Sequence, residues 1–123
     1  MAFSGSRGFA PALFAGLVLS SVPACPADSE PGARGASPAP LRQSELVHLV
    51  RHDCGSCHGL TLAGGLGPAL LPEAMAEKPM EYLEHVILYG RPGTAMPAWK
   101  GLVSEDDARW IAQELRKGFP RER

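Results

Sequence analysis

The chain has 123 residues, with 45% hydrophobic and 20% charged residues and a formal net charge of −1. That length holds one domain at most. The near-neutral balance, with no basic patch, argues against a nucleic-acid partner and leaves only mild electrostatic steering toward any other.

At the N-terminus, Arg7 is the only charge before Asp28, and Phe9 to Leu19 is mostly apolar. The apolar run is too short to span a bilayer as a mature helix. Small residues follow it, so residues 1–24 read as a secretory signal peptide with cleavage after Ala24 or Ala27. The protein is then expected outside the cytoplasm, in the periplasm of a bacterium. Val22-Pro23-Ala24-Cys25 is similar to a lipoprotein processing box. Cys25 is thus either a lipidated first residue and membrane anchor, or is discarded with the leader. Residues 25–40 are rich in Pro, Gly, Ala and Ser and read as a linker, because they cannot bury a core. The domain proper is expected over 41–123.

Leu41 to His52 reads as a first helix, with a short stripe at Leu46, Leu49, Val50 and Asp53. It runs into Cys54-Gly55-Ser56-Cys57-His58. The C-x-x-C-H pattern signals covalent haem attachment. Cysteines at i and i+3 project from one side of a helical turn, where each sulfur can form a thioether to a haem vinyl group. His58 is then held under the macrocycle as a proximal iron ligand. A thioredoxin-type redox pair is a poorer reading, since no βαβ pattern is visible. A structural zinc site needs four ligands; Cys54, Cys57, His58 and His52 could supply them only in a crowded arrangement. A Cys54–Cys57 disulfide would close a very small loop, stabilise little and leave His58 unexplained.

Gly59 to Pro72 is rich in glycine and reads as a loop. Pro79 to Tyr89 reads as a second helix, with Pro79 in its first turn and Gly90 as its C-terminal cap. Met80, Leu83, Val86 and Ile87 are its apolar face, flanked by Tyr82 and Tyr89. Arg91 to Gly101 is another loop. A last helix begins at Ser104, with acids Glu105, Asp106 and Asp107 at its positive end and Arg116 and Lys117 at the other. Ala108, Ile111, Ala112 and Leu115 are its buried stripe. So small a helical domain has a small core, and a buried haem would supply much of what it lacks. The haem-free chain is therefore expected to be disordered.

Whether the iron has a protein-supplied sixth ligand separates an electron carrier from a haem enzyme or gas sensor with an open position. The candidates are Met75, Met80, Met96, His48, His52 and His85. Met96 is favoured, because the Gly- and Pro-flanked loop Gly93-Thr94-Ala95-Met96-Pro97 can bring its sulfur over the distal face. Met80 has core spacing on a helix, where gap-filling is the usual task of methionine. Met75 sits in a less defined loop, and the three histidines are expected at the surface or half exposed. A ligating histidine usually donates its other ring N–H to an acceptor, and the backbone carbonyl of Pro68 is well placed for this. Arg91 and Trp99 flank the methionine loop and could contact the haem propionates, although packing alone would also account for Trp99.

Cys54 to His58, Gly67-Pro68 and Met96-Pro97, with helices before and after, resemble the class I monohaem cytochromes c over about residues 41 to 118. Asp53 to Thr61, Gly64 to Leu70 and Leu88 to Trp99 are similar in more detail to the small cytochromes c55x, and related segments occur in cytochrome cd1 nitrite reductases. The resemblance implies an all-α fold, with three to four short helices wrapped around one covalently bound haem c. It implies a monomeric, non-enzymatic electron carrier whose redox partner is cytochrome cd1 nitrite reductase in denitrification. The other roles it leaves open are assistance in haem d1 maturation and generic electron delivery to a terminal oxidase.

Overall fold

The computed structural model describes residues 36–121. The signal peptide, Cys25, most of the Pro-rich linker and the last two residues lie outside the described residues. The described chain is helical, with no strand. Helix α1 spans Pro40–Leu49, continues through a π-helical turn at Val50–Cys54 and ends in α2 at Gly55–His58. Then come α3 (Pro72–Ala76), α4 (Met80–Tyr89) and α5 (Glu105–Lys117). No helix among the described residues is long and apolar enough to cross a membrane.

Two boundaries differ from the sequence expectation. The first helix starts at Pro40, inside the segment read as linker, because proline suits a first helical position, where the missing N–H leaves no bond unmade. As the sequence suggests, it runs on into the haem motif, here by widening into the π-helical turn. The expected loop after His58 gives way at Pro72 to α3, again opened by a proline. Met75, read as a loop residue, is therefore a helical residue and is 2% exposed.

Helix α5 forms where its stripe predicts. Ala108, Ile111, Ala112 and Leu115 are all buried. Burying each large aliphatic side chain contributes about 1.5–3 kcal/mol. The Ser104 hydroxyl accepts from the Asp107 N–H at 3.1 Å, while the Asp107 carboxylate accepts from the Ser104 N–H at 3.1 Å. This reciprocal capping box satisfies two donors that a helix start leaves open.

Long-range arginine contacts join the elements. The Arg42 guanidinium donates to the Asp107 carboxylate at 2.8 Å and to the Leu102 carbonyl at 2.8 Å, pinning the start of α1 to the start of α5. Arg51 donates to the carbonyls of Phe119 and Pro120, at 2.6 and 2.9 Å, and its cation lies over the Phe119 ring. Arg116 on α5 donates to the carbonyls of Met75, Ala76 and Lys78. The Met75 and Ala76 carbonyls belong to the last turn of α3, where intrahelical donors run out, and Lys78 lies just beyond it.

On α4, Leu83 is buried, while Met80 and Ile87 pack partly buried against the core. Leu88, off the expected stripe, is also buried. The chain after Pro97 folds back over that side of the helix, where the Trp99 and Lys100 N–H groups donate to the Leu88 carbonyl at 3.1 and 3.0 Å. The π-helical turn, the glycine loop, α3, α4 and the methionine loop together enclose one cavity.

Candidate haem site

The cavity has a volume of about 630 Å³ and a predominantly apolar lining. Cys54, Cys57 and His58 line it from one side, and Met96, on the loop after α4, lines it too. Pro68, Arg91 and Trp99 also contribute to its wall. All seven site residues expected from the sequence thus meet at one cavity.

Local structure explains how the attachment motif is held. Helix α2 is a single turn, so its last carbonyls need donors from elsewhere. The glycine loop supplies them: the Gly64 N–H donates to the His58 carbonyl at 2.9 Å, and the Gly67 N–H to the Cys57 carbonyl at 2.8 Å. Gly59 has φ +82°, and a Cβ there would sit 2.6 Å from the Gly64 carbonyl oxygen. Neither the conformation nor the space admits a side chain.

His58 is 7% exposed. Its Nδ1 lies 2.7 Å from the Pro68 carbonyl oxygen. A carbonyl can only accept, so Nδ1 is the donor in this contact. Gly67 packs against the same ring: a Cβ there would lie 2.7 Å from both Cε1 and Nδ1. The imidazole is held by a hydrogen bond and packed against a backbone that has no room for a methyl group.

The facing loop is also braced. The Arg91 N–H donates to the Met96 carbonyl at 3.2 Å, and the Met96 N–H to the Thr94 hydroxyl oxygen at 3.3 Å. The Thr94 hydroxyl in turn donates to the Arg91 carbonyl at 2.8 Å. Gly90 has φ +69°, and a Cβ there would meet the Met96 carbonyl oxygen at 2.6 Å. Helix α4 thus ends on the only residue type that lets the methionine loop turn back against it.

Burial in the apolar wall pushes the Cys54 thiol up to about 11, with smaller contributions from the Asp53 carboxylate and from Cys57. The neutral thiol suits this wall, and so would an uncharged thioether. Cys54 and Cys57 are not joined to each other. Among the described residues no three His, Cys, Asp or Glu side chains gather as a metal-binding group, so Cys54, Cys57, His58 and His52 do not assemble a zinc site.

The other ligand candidates sort by position. Met80 does not line the cavity, and His48, His52 and His85 are exposed. Met75 does line it, from α3. Sequence reasoning missed Lys78 and Tyr82, which also contribute to the wall. Tyr82 could have been found, since it stands four residues before Val86 and so shares its helical face. Lys78 carried no signal, because its place depends on where α3 ends.

Residues 42–113 match the family described as cytochrome C oxidase, cbb3-type, subunit III. The chain is 53% identical over 102 residues to cytochrome c55X of Pseudomonas aeruginosa, covering 83% of each. The solved structure of the c-type cytochrome NirC superposes with a TM-score of 0.65 at 57% identity, over 66% of this chain and 95% of that one. A 74-residue stretch, 60% of the chain, is 38% identical to dihydro-heme d1 dehydrogenase of Pseudomonas aeruginosa, but corresponds to only 15% of that longer protein. A cavity walled by a C-x-x-C-H turn, on a helical scaffold shared with these cytochromes, takes a covalently bound haem c, and the chain belongs to the cytochrome c55X family of small electron-transfer c-type cytochromes.

Proposed function

We propose that the protein is a periplasmic one-electron carrier whose haem iron is held by His58 and Met96. The observation that carries this reading is the 2.7 Å contact from His58 Nδ1 to the Pro68 carbonyl. With Nδ1 engaged there, Nε2 is the ring nitrogen left to serve as an axial ligand, and a braced loop offers the Met96 thioether to the cavity that His58 also lines.

The haem supplies reversible one-electron chemistry; the chain positions and tunes it. Cys54 and Cys57 provide the two thioether sulfurs. Pro68 keeps the Nδ1 proton and fixes the plane of the His58 ring. The bonds around Thr94 and Arg91 hold the Met96 loop in one arrangement, so little rearrangement accompanies a change of charge at the cavity. A thioether ligand raises the reduction potential. Arg91, exposed at the cavity mouth, and Trp99, half-buried beside it, are placed to meet the propionates.

Reduced protein should keep a six-coordinate spectrum when carbon monoxide is added, and oxidised protein should show a near-infrared methionine–iron band that Met96→His removes. A wild-type protein that binds carbon monoxide at once, or never shows the band, overturns the axial assignment.

The electron acceptor we propose is cytochrome cd1 nitrite reductase, with the carrier exported through the leader at residues 1–24 and acting as a monomer. Lipidation at Cys25 would tether it to the membrane, and mass spectrometry of the mature N-terminus distinguishes that form from one starting at Asp28. The similarity to dihydro-heme d1 dehydrogenase favours a second reading, in which the electrons serve haem d1 maturation. A deletion strain separates the two. Nitrite reductase with full haem d1, but short of electrons, supports donation, whereas enzyme lacking mature haem d1 supports maturation.

A further inference from the structure

His48 and His52 stand four residues apart where α1 passes into the π-helical turn, and both are exposed. In a π-helical turn hydrogen bonds run from i to i+5, so one turn takes more than four residues. Side chains four apart then come closer to eclipsing than they do on an α-helix. The two imidazoles accordingly lie nearly over each other, with centroids 4.3 Å apart and planes tilted by 35°. The haem site uses neither ring, and neither lines its cavity.

We propose that His48 and His52 form a two-imidazole clip for a divalent transition-metal ion, with Cu(II) bound most tightly. Imidazole suits copper, nickel and zinc, and affinity for a given nitrogen site peaks at Cu(II). The second ring adds to the first as a chelate, because the backbone already holds both on one face. Among the described residues no group of three His, Cys, Asp or Glu gathers as a metal site, so the proposed ligands are these two imidazoles. The clip lies immediately before Cys54 in the chain. A bound dication would add positive charge close to the haem attachment turn and favour the reduced, less positive iron.

The test titrates Cu(II), Ni(II) and Zn(II) separately into oxidised holoprotein whose N-terminus begins after residue 27, followed by calorimetry and Cu(II) electron paramagnetic resonance. The expected result is one Cu(II) per chain with nitrogen hyperfine structure, tighter than Ni(II) or Zn(II). His48→Ala or His52→Ala should each weaken it by more than about tenfold, since either removes the chelate. His85→Ala, at the third exposed histidine, should leave binding unchanged. Metal should raise the reduction potential of the wild type but not of the double variant, and the haem spectrum of each variant checks that it is folded. Undiminished binding in His48→Ala/His52→Ala, or no Cu(II) bound by the wild type, overturns the proposal.

Discussion

Substituting Gly67 with alanine tests how His58, the proposed axial ligand, is positioned. Gly67 has no left-handed backbone that would demand glycine; its constraint is space alone. The added methyl carbon would lie 2.7 Å from both Cε1 and Nδ1 of His58, where carbon contacts settle at about 3.5–4.0 Å. About 1 Å of movement is therefore required. The ring cannot retreat without loosening its 2.7 Å bond to the Pro68 carbonyl, and the Gly67 backbone is tied to the Cys57 carbonyl at 2.8 Å. Overpacking of this kind costs about 1–3 kcal/mol. At about 4–8 °C per kcal/mol for a domain of this size, Gly67→Ala should lower the melting temperature of the oxidised holoprotein by roughly 4–24 °C. A rotated ring should also shift the electron paramagnetic resonance g-values. Gly101 is the control: nothing lies within 4 Å of a Cβ there, so alanine should stay within about 0.5 kcal/mol of wild type. A Gly67→Ala protein with the melting temperature and g-values of wild type would refute the packing argument.

Two further outcomes follow from the fold. Burial alone would raise the Asp107 carboxyl, but hydrogen bonds from Arg42 and Ser104 together hold it below the usual carboxylate range. Its contribution is therefore fully present above the unfolded carboxylate value, about 3.9, and is lost as pH falls through the lower folded value. Asp107→Asn should cost about 1.5–3 kcal/mol at neutral pH and flatten the acid limb of a stability-versus-pH curve; an unchanged limb would remove Asp107 from the account. Haem-free protein, made as Cys54→Ala/Cys57→Ala, should lose most of its far-ultraviolet helix signal, because a buried prosthetic group occupies the centre of a small core. A cooperative melt of full helical amplitude would show that the polypeptide core suffices.

The features legible in the sequence were those whose cause is local. Cys54, Cys57 and His58 depend only on the spacing of one turn. Helix α5 follows from its stripe and from Ser104, and the turn residues around Met96 mark a loop. Pro68 was legible because only its carbonyl, ten residues on from His58, had to be guessed. Other features depend on residues far apart in the chain. Asp107 read as an acid complementing a helix dipole, whereas its main partner is Arg42, 65 positions away. Leu88 is off the α4 stripe, yet a returning loop covers it. Met75 and Lys78 reach the cavity wall only because α3 forms, with Arg116 of α5 satisfying the carbonyls at its end. The sequence by itself determined that a haem c is attached and marked the C-x-x-C-H turn and the methionine loop as candidate parts of its site. The tertiary structure alone decided what holds each candidate ligand in place, because packing and hydrogen bonds between distant residues leave no periodic trace along the chain.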